Sequence, residues 1–238
     1  MRILVSNDDG ITAAGLHVLT EIAAGFGTVF VSAPASQCSA MSQRLTILTP
    51  VTVREAAVPF AEKAWSVDGM PADCVKLGIR YLMDGRPDLV LSGINRGFNS
   101  GFDIPYSGTV GAAMEALMNG IPAIAVSTDT EEGLATVRAV LPGILKKLIG
   151  TDPGKGCIYN VNIPVLPPEK IKGTLYDVPP APYGLYKENY LCENRADGSR
   201  VFTERGCLLS AEETYGENDC YYLTHGYITV GPVKNMAL

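Results

Sequence analysis

The sequence predicts a doubly wound, mostly parallel α/β sheet with a β-rich extension at its C-terminus. Three observations carry this expectation. Short apolar runs alternate with helical stretches through the first 165 of 238 residues, the pattern of strands covered on both faces by helices. Each of the first four runs finishes in Ser, Asn or Asp near its carboxyl edge, where open α/β sheets collect their ligands. Beyond Pro164 the alternation stops. Prolines at 164, 167, 168, 179, 180 and 182 precede a stretch rich in Tyr, Glu, Asn and Gly. An α/β core over residues 1–165 and a hairpin-and-loop extension over 166–238 follow.

Taken in order, residues 3–6 (ILVS) form an apolar run too short for a helix and read as a buried first strand. A helix is expected over 14–25 and a second strand over 28–32. Residues 45–53, rich in Thr, Val and Leu, read as a further strand or hairpin arm. A helix over 71–83, a strand over 88–92, a helix over 109–118 and a strand over 123–127 continue the alternation. A helix over 134–148 and a strand over 158–163 close the core. The segment GYITVGP at 226–232 has the composition of a strand.

Composition bounds the function. Hydrophobic residues make up 47% of the chain and charged residues 18%, which are globular values that allow a sizeable core. The net charge of −6 argues against a nucleic-acid polymer as partner, because no basic stripe exists to release counterions. A small phosphate needs only a local positive site. The six cysteines show no C-x-x-C pair, so zinc spacing is absent and buried reduced thiols are expected. Charge appears by position 8, which leaves no signal-peptide core, and no stretch is long enough to span a bilayer. A cytoplasmic protein with no membrane partner is expected.

Four polar loops deserve weight. The run RILVSNDDG places Asp8 and Asp9 side by side after the first strand. Adjacent carboxylates repel unless a positive group lies between them, and a divalent cation is a common solution. An Asx turn or a helix N-cap accounts equally for Asp at such a position. The loop SAPASQCSAMSQRLT brings Ser36, Ser39 and Ser42, which taken alone reads as a surface linker. The loop GINRGFNSG at 93–101 carries three glycines with Asn95 and Asn99, so the backbone there can approach a ligand closely. In YSGTVGAAMEA at 106–116, Ser107, Gly108 and Thr109 open an Ala-rich helix. Its free N–H groups make a natural phosphate seat, although plain N-capping gives the same pattern. Placement of all four loops at the carboxyl ends of successive strands favours one shared site.

These motifs, in this order, resemble the SurE family of survival proteins. The resemblance rests on SNDDGI at 6–11, Ser39 in the second loop, VDGMPADCVKLGI at 67–79 and PDLVLSGINRGFN at 87–99. It continues through YSGTVGAAMEA, IPAIAVS at 121–127 and YNVNIP at 159–164, with a weaker echo in ENDCYYLTHGYITVGP at 217–232. It implies a Rossmann-like fold of SurE type and hydrolysis of nucleoside 5′-, and in some members 3′-, monophosphates by metal-activated water. Carried over residue by residue, it implies metal ligation by Asp8, Asp9, Ser39 and Asn95. Asp8, Asp9 and Asn95 would be catalytic, and Asn95, Ser107, Gly108 and Thr109 would contact the substrate phosphate. One cation per subunit, Mg²⁺ or Mn²⁺, suits such oxygen donors. The family also implies a homodimer or homotetramer built through the C-terminal extension.

The sequence departs from the family at Ala35 and Ser36, at Arg44 and at Phe102, all in loops around the expected site. Two other readings compete. A non-catalytic nucleotide- or phosphate-sensing module would use the same loops, and an aspartyl-phosphate phosphatase would also place Asp at a strand end. The familiar D-x-D spacing of the latter is missing from NDDG. The lack of G-x-G-x-x-G after the first strand argues against a dinucleotide-binding dehydrogenase. His17 and His225 are the two histidines, and both are expected to be structural.

Overall fold

The computed structural model describes residues 1–187 and 189–235. Along the first half lie β1 (Arg2–Ser6), α1 (Ala14–Ala24), β2 (Thr28–Pro34), β3 (Val53–Ala56), β4 (Lys63–Val67), α2 (Pro71–Leu77) and β5 (Leu89–Arg96). There follow α3 (Gly108–Met118), β6 (Ala123–Thr128), α4 (Leu134–Leu148), β7 (Cys157–Asn162) and β8 (Thr174–Leu175). The chain then forms β9 (Tyr186–Lys187), β10 (Tyr190–Asn194), β11 (Arg200–Glu204), β12 (Cys207–Leu208), α5 (Asp219–Thr224) and β13 (Ile228–Lys234). Nine of these strands form one sheet in the order β3-β4-β2-β1-β5-β6-β7-β13-β8. The run from β4 to β7 is parallel, whereas β3 and β13 pair antiparallel with β4 and β7.

The central strands are buried on both faces. Leu4 shares a core with Val75 of α2, Ile79 just beyond it, and Val110 and Ala113 of α3. Ile3 and Val5 pack on the opposite side with Leu16 and Leu19 of α1 and Leu141 and Leu145 of α4. Alternation along β1 thus distributes one short run between two cores, which is the physical basis of the doubly wound arrangement. Trp65 is buried in the α2/α3 layer.

Three local expectations are corrected. Residues 45–52 are irregular, and the edge strand begins only at Val53. Ile47 and Leu48 stand 81% and 92% exposed, and the Thr46 N–H is taken by the Asp73 carboxylate, so β-forming composition finds no ladder to join. Between this edge strand and β2 lies β4, a strand not foreseen. The strand expected over 88–92 runs on to Arg96 through a register shift between Ser92 and Asn95. Asn95 is therefore a strand residue and not a loop residue. Gly93 makes this possible: its φ is +136°, and a Cβ there would lie 2.3 Å from the Val126 carbonyl.

The C-terminal segment divides in two. Its last strand, β13, returns to the main sheet beside β7. Between lie two small antiparallel pairs, β10–β11 and β9–β12. A minor core of Phe98, Ala181, Leu185, Cys220 and Leu223 fastens this segment to the loop after β5.

Candidate active site

The tip of β1 is closed by its own sequence. Asn7 Nδ2 donates to the Gly10 carbonyl at 3.0 Å, and the Gly10 N–H donates to Asn7 Oδ1 at 3.2 Å. This reciprocal pair fixes the turn that bears Asp8 and Asp9. The Asp8 carbonyl accepts the Cys38 N–H at 2.7 Å, which ties the serine loop to the same tip.

Asp8 is 2% exposed. Thr109 Oγ1 donates to its Oδ1 at 2.5 Å, and Gly108 leaves room for it: a Cβ at 108 would stand 2.8 Å from Asp8 Cβ and 2.9 Å from Oδ2. The start of α3 is thus set against this carboxyl group. Burial pushes Asp8 up to about 6; hydrogen bonds from Thr109 pull it back, and the charge of Asp9 adds to the rise. Asp9 is less enclosed. Its Oδ2 accepts the Arg96 N–H at 2.9 Å. Burial raises its pKa, the N–H and charge of Arg96 oppose that, and Glu131 reinforces it.

The other expected residues lie on segments bonded to this pair: Ser39 follows Cys38, Asn95 precedes Arg96, and Ser107 precedes Gly108 and Thr109. Asn95 is buried, and its Nδ2 donates to the Gly97 carbonyl at 2.7 Å. Ser39 is exposed and accepts from Gln37 Nε2 at 3.0 Å. Ser107 caps α3, its Oγ accepting the Val110 N–H at 3.1 Å. A cavity of about 190 Å³ opens beyond the strand tips, with Asp9, Asn95, Arg96, Gln37, Thr130 and Glu131 in its wall.

Among the described residues no group of three or more His, Cys, Asp or Glu could hold a metal ion. The donors present are two carboxylates, a hydroxyl and an amide oxygen. That set suits a hard cation completed by water. Both carboxyl groups are raised by burial, and Asp9 adds its charge to Asp8, so a cation between them would relieve a real electrostatic cost.

The family model described as "Survival protein SurE" matches residues 3–178. The chain belongs to the SurE family. A relative from Clostridium botulinum (strain Loch Maree / Type A3), named 5′-nucleotidase SurE, is 35% identical over 237 residues, covering 98% of this chain and 92% of its own. Another of that name, from the Alaska E43 / Type E3 strain, is 38% identical over 243 residues, covering 98% and 93%. The crystal structure of the SurE protein from Aquifex aeolicus superimposes with a TM-score of 0.84 at 35% identity, covering 98% of this chain and 93% of that one.

Within this SurE fold, Asp9 and Asn95 line one crevice, and the neighbouring Asp8 joins the tip of β1 to the start of α3. The positions that depart from the family pattern, Ala35, Ser36, Arg44 and Phe102, are all exposed. Arg96 and Gln37 escaped the sequence reading, although Arg96 directly follows Asn95 in the quoted motif. The histidines lie on local backbone: His17 Nε2 is 3.1 Å from the Ile11 carbonyl oxygen, and His225 Nδ1 is 2.7 Å from that of Tyr221. No helix among the described residues is long and apolar enough to cross a membrane.

Proposed function

We propose that this chain is a 5′-nucleotidase that releases phosphate from nucleoside 5′-monophosphates, with 3′-monophosphates as a second substrate class. The observation that carries the reading is that Asp9 and Asn95 line one crevice while the adjacent Asp8 accepts from Thr109 at the start of α3, in a chain whose relatives bear the name 5′-nucleotidase. Asp8, Asp9, Ser39 and Asn95 would hold one divalent cation, Mg²⁺ or Mn²⁺, through oxygen atoms. When bound, such a cation neutralises phosphate charge and makes water more acidic.

The residues of the chain divide the remaining tasks. Ser107 accepts through its oxygen from Val110 and keeps its own hydrogen for a phosphate oxygen, beside the Gly108 N–H at the helix start. Thr109 holds Asp8 in place. Arg96, beside Asp9 in the cavity wall, draws in the substrate anion. Asp9 Oδ2 is fixed by the Arg96 N–H, which leaves Oδ1 to orient the attacking water. Attack of the water oxygen on phosphorus forms the new P–O bond as the ester P–O bond breaks, and the proton lost by the water passes to the departing ribose oxygen.

The hairpin of β10 and β11 exposes Tyr190, Leu191 and Phe202 and is where we place contacts between subunits of a homodimer or homotetramer. Six unpaired thiols fit a reducing cytoplasm. The test is phosphate release from a panel of nucleoside 5′- and 3′-monophosphates with Mg²⁺, Mn²⁺ or EDTA. Release that requires the metal and favours 5′ esters is expected; nucleotide binding without release under any metal would replace the enzyme with a sensing module.

A further inference from the structure

We infer that Tyr186, from the C-terminal segment, is a positioning residue that sets which end of the Asn95 amide faces the cation site. The inference rests on the ligand role proposed for Asn95. Its basis is a single peptide group. The carbonyl of the Gly97–Phe98 peptide accepts from Asn95 Nδ2 at 2.7 Å, and the N–H of that same peptide donates to the Tyr186 hydroxyl at 2.7 Å. The two ends of one rigid plane are thereby held by the proposed ligand and by the phenol.

The hydroxyl is itself fixed. It donates to Asp129 Oδ1 at 2.8 Å, so its oxygen is left to accept from Phe98. Burial, with the charge of Asp129, pushes the phenol pKa far up, which keeps the hydroxyl a donor. The Gly97 N–H is bound to the Thr128 carbonyl at 2.8 Å, so the ends of β5 and β6 are joined through the same few atoms.

The chemical consequence follows from the asymmetry of an amide. While the Gly97 carbonyl takes Nδ2, Asn95 presents Oδ1, an acceptor that can ligate a cation, at its other end. Were the Gly97–Phe98 plane to turn over, an N–H would face Asn95 and favour Oδ1 on the peptide. Asn95 would then offer the site an NH₂ group, which cannot ligate. Tyr186 opposes that turn by holding the N–H on the far side.

The test is Mn²⁺ binding to metal-free protein, followed by electron paramagnetic resonance, for wild type, Tyr186→Phe, Asn95→Ala and the double variant. Tyr186→Phe is expected to weaken Mn²⁺ binding by about 10-fold, the scale of losing a group that orients a metal ligand. In the Asn95→Ala background the same change is expected to have less than about a twofold effect, since the ligand it serves is gone. With Mn²⁺ saturating, KM for the nucleotide stays close to that of wild type. Unchanged Mn²⁺ binding in Tyr186→Phe, or equal weakening in both backgrounds, overturns the positioning role while leaving nucleotidase activity standing. Wild-type protein that binds no Mn²⁺ overturns both. Should Tyr186→Phe fail to fold, Asp129→Ala keeps the phenol and removes its acceptor; it is expected to weaken binding in the same Asn95-dependent way, and binding equal to wild type overturns the role.

Discussion

Asp8 and the β10–β11 hairpin belong to one chain and obey opposite rules. Asp8 is enclosed, with a threonine 101 positions away donating to its carboxyl group and a glycine shaped to its outline. The hairpin pairs with itself, and Tyr190, Leu191 and Phe202 stay more than half exposed. The contrast separates two kinds of determination. Geometry at the strand tips is set by long-range contacts, at a cost in electrostatic energy. The hairpin has little to fix it beyond its own pairing, and its exposed side chains carry the subunit contact proposed above.

The largest effect expected at the enclosed end is on chemistry. Asp9→Asn should lower phosphate release by more than about 100-fold, beyond the loss typical of residues that only support a metal ligand. Assay at saturating nucleotide and metal checks this, and a modest loss would put the site elsewhere. Gly108→Ala should come next. Its added methyl lands within 3 Å of Asp8, and overpacking of this kind costs about 1–3 kcal/mol, read as a lower melting temperature together with reduced turnover.

The third prediction concerns the charge itself. The Asp8 carboxyl titrates at about 6 in the folded chain against 3.8 ordinarily. The folded state therefore holds the proton more tightly, and stability falls as pH rises from about 4 through about 6. Metal-free Asp8→Asn lacks this penalty. At pH 7 in EDTA it should melt at a higher temperature than wild type, by on the order of 1–3 kcal/mol in stability, while releasing no phosphate. Thermal melts across pH 4–7 check both the sign and the window. At the exposed end effects should be smallest: Leu191→Ser with Phe202→Ser should change stability by less than about 1 kcal/mol and shift sedimentation toward smaller species.

The same contrast explains what could be read from the sequence. Asp8 and Asp9 were legible because an apolar strand and its polar tip are neighbours in the chain, and Ser107–Thr109 because helix starts carry local signals. The partnerships that hold these side chains were not legible. Thr109 meets Asp8, Arg96 meets Asp9 and Tyr186 meets Phe98 across roughly ninety residues or more, and no local pattern encodes such pairings. The irregular course of residues 45–52 was missed because propensity suggests a strand where the sheet offers no partner. Asn95 reads as a loop residue from the sequence, since a register shift at Gly93 extends β5 without any change in composition.

The most direct test is to strip the protein of metal and follow phosphate release from a nucleoside 5′-monophosphate as Mn²⁺ is returned. Activity should be absent at the start and rise to a plateau at one Mn²⁺ per chain, with Asp9→Asn flat throughout. Full activity in the metal-free protein, or an Asp9→Asn curve that follows wild type, would contradict a cation held at the tip of β1.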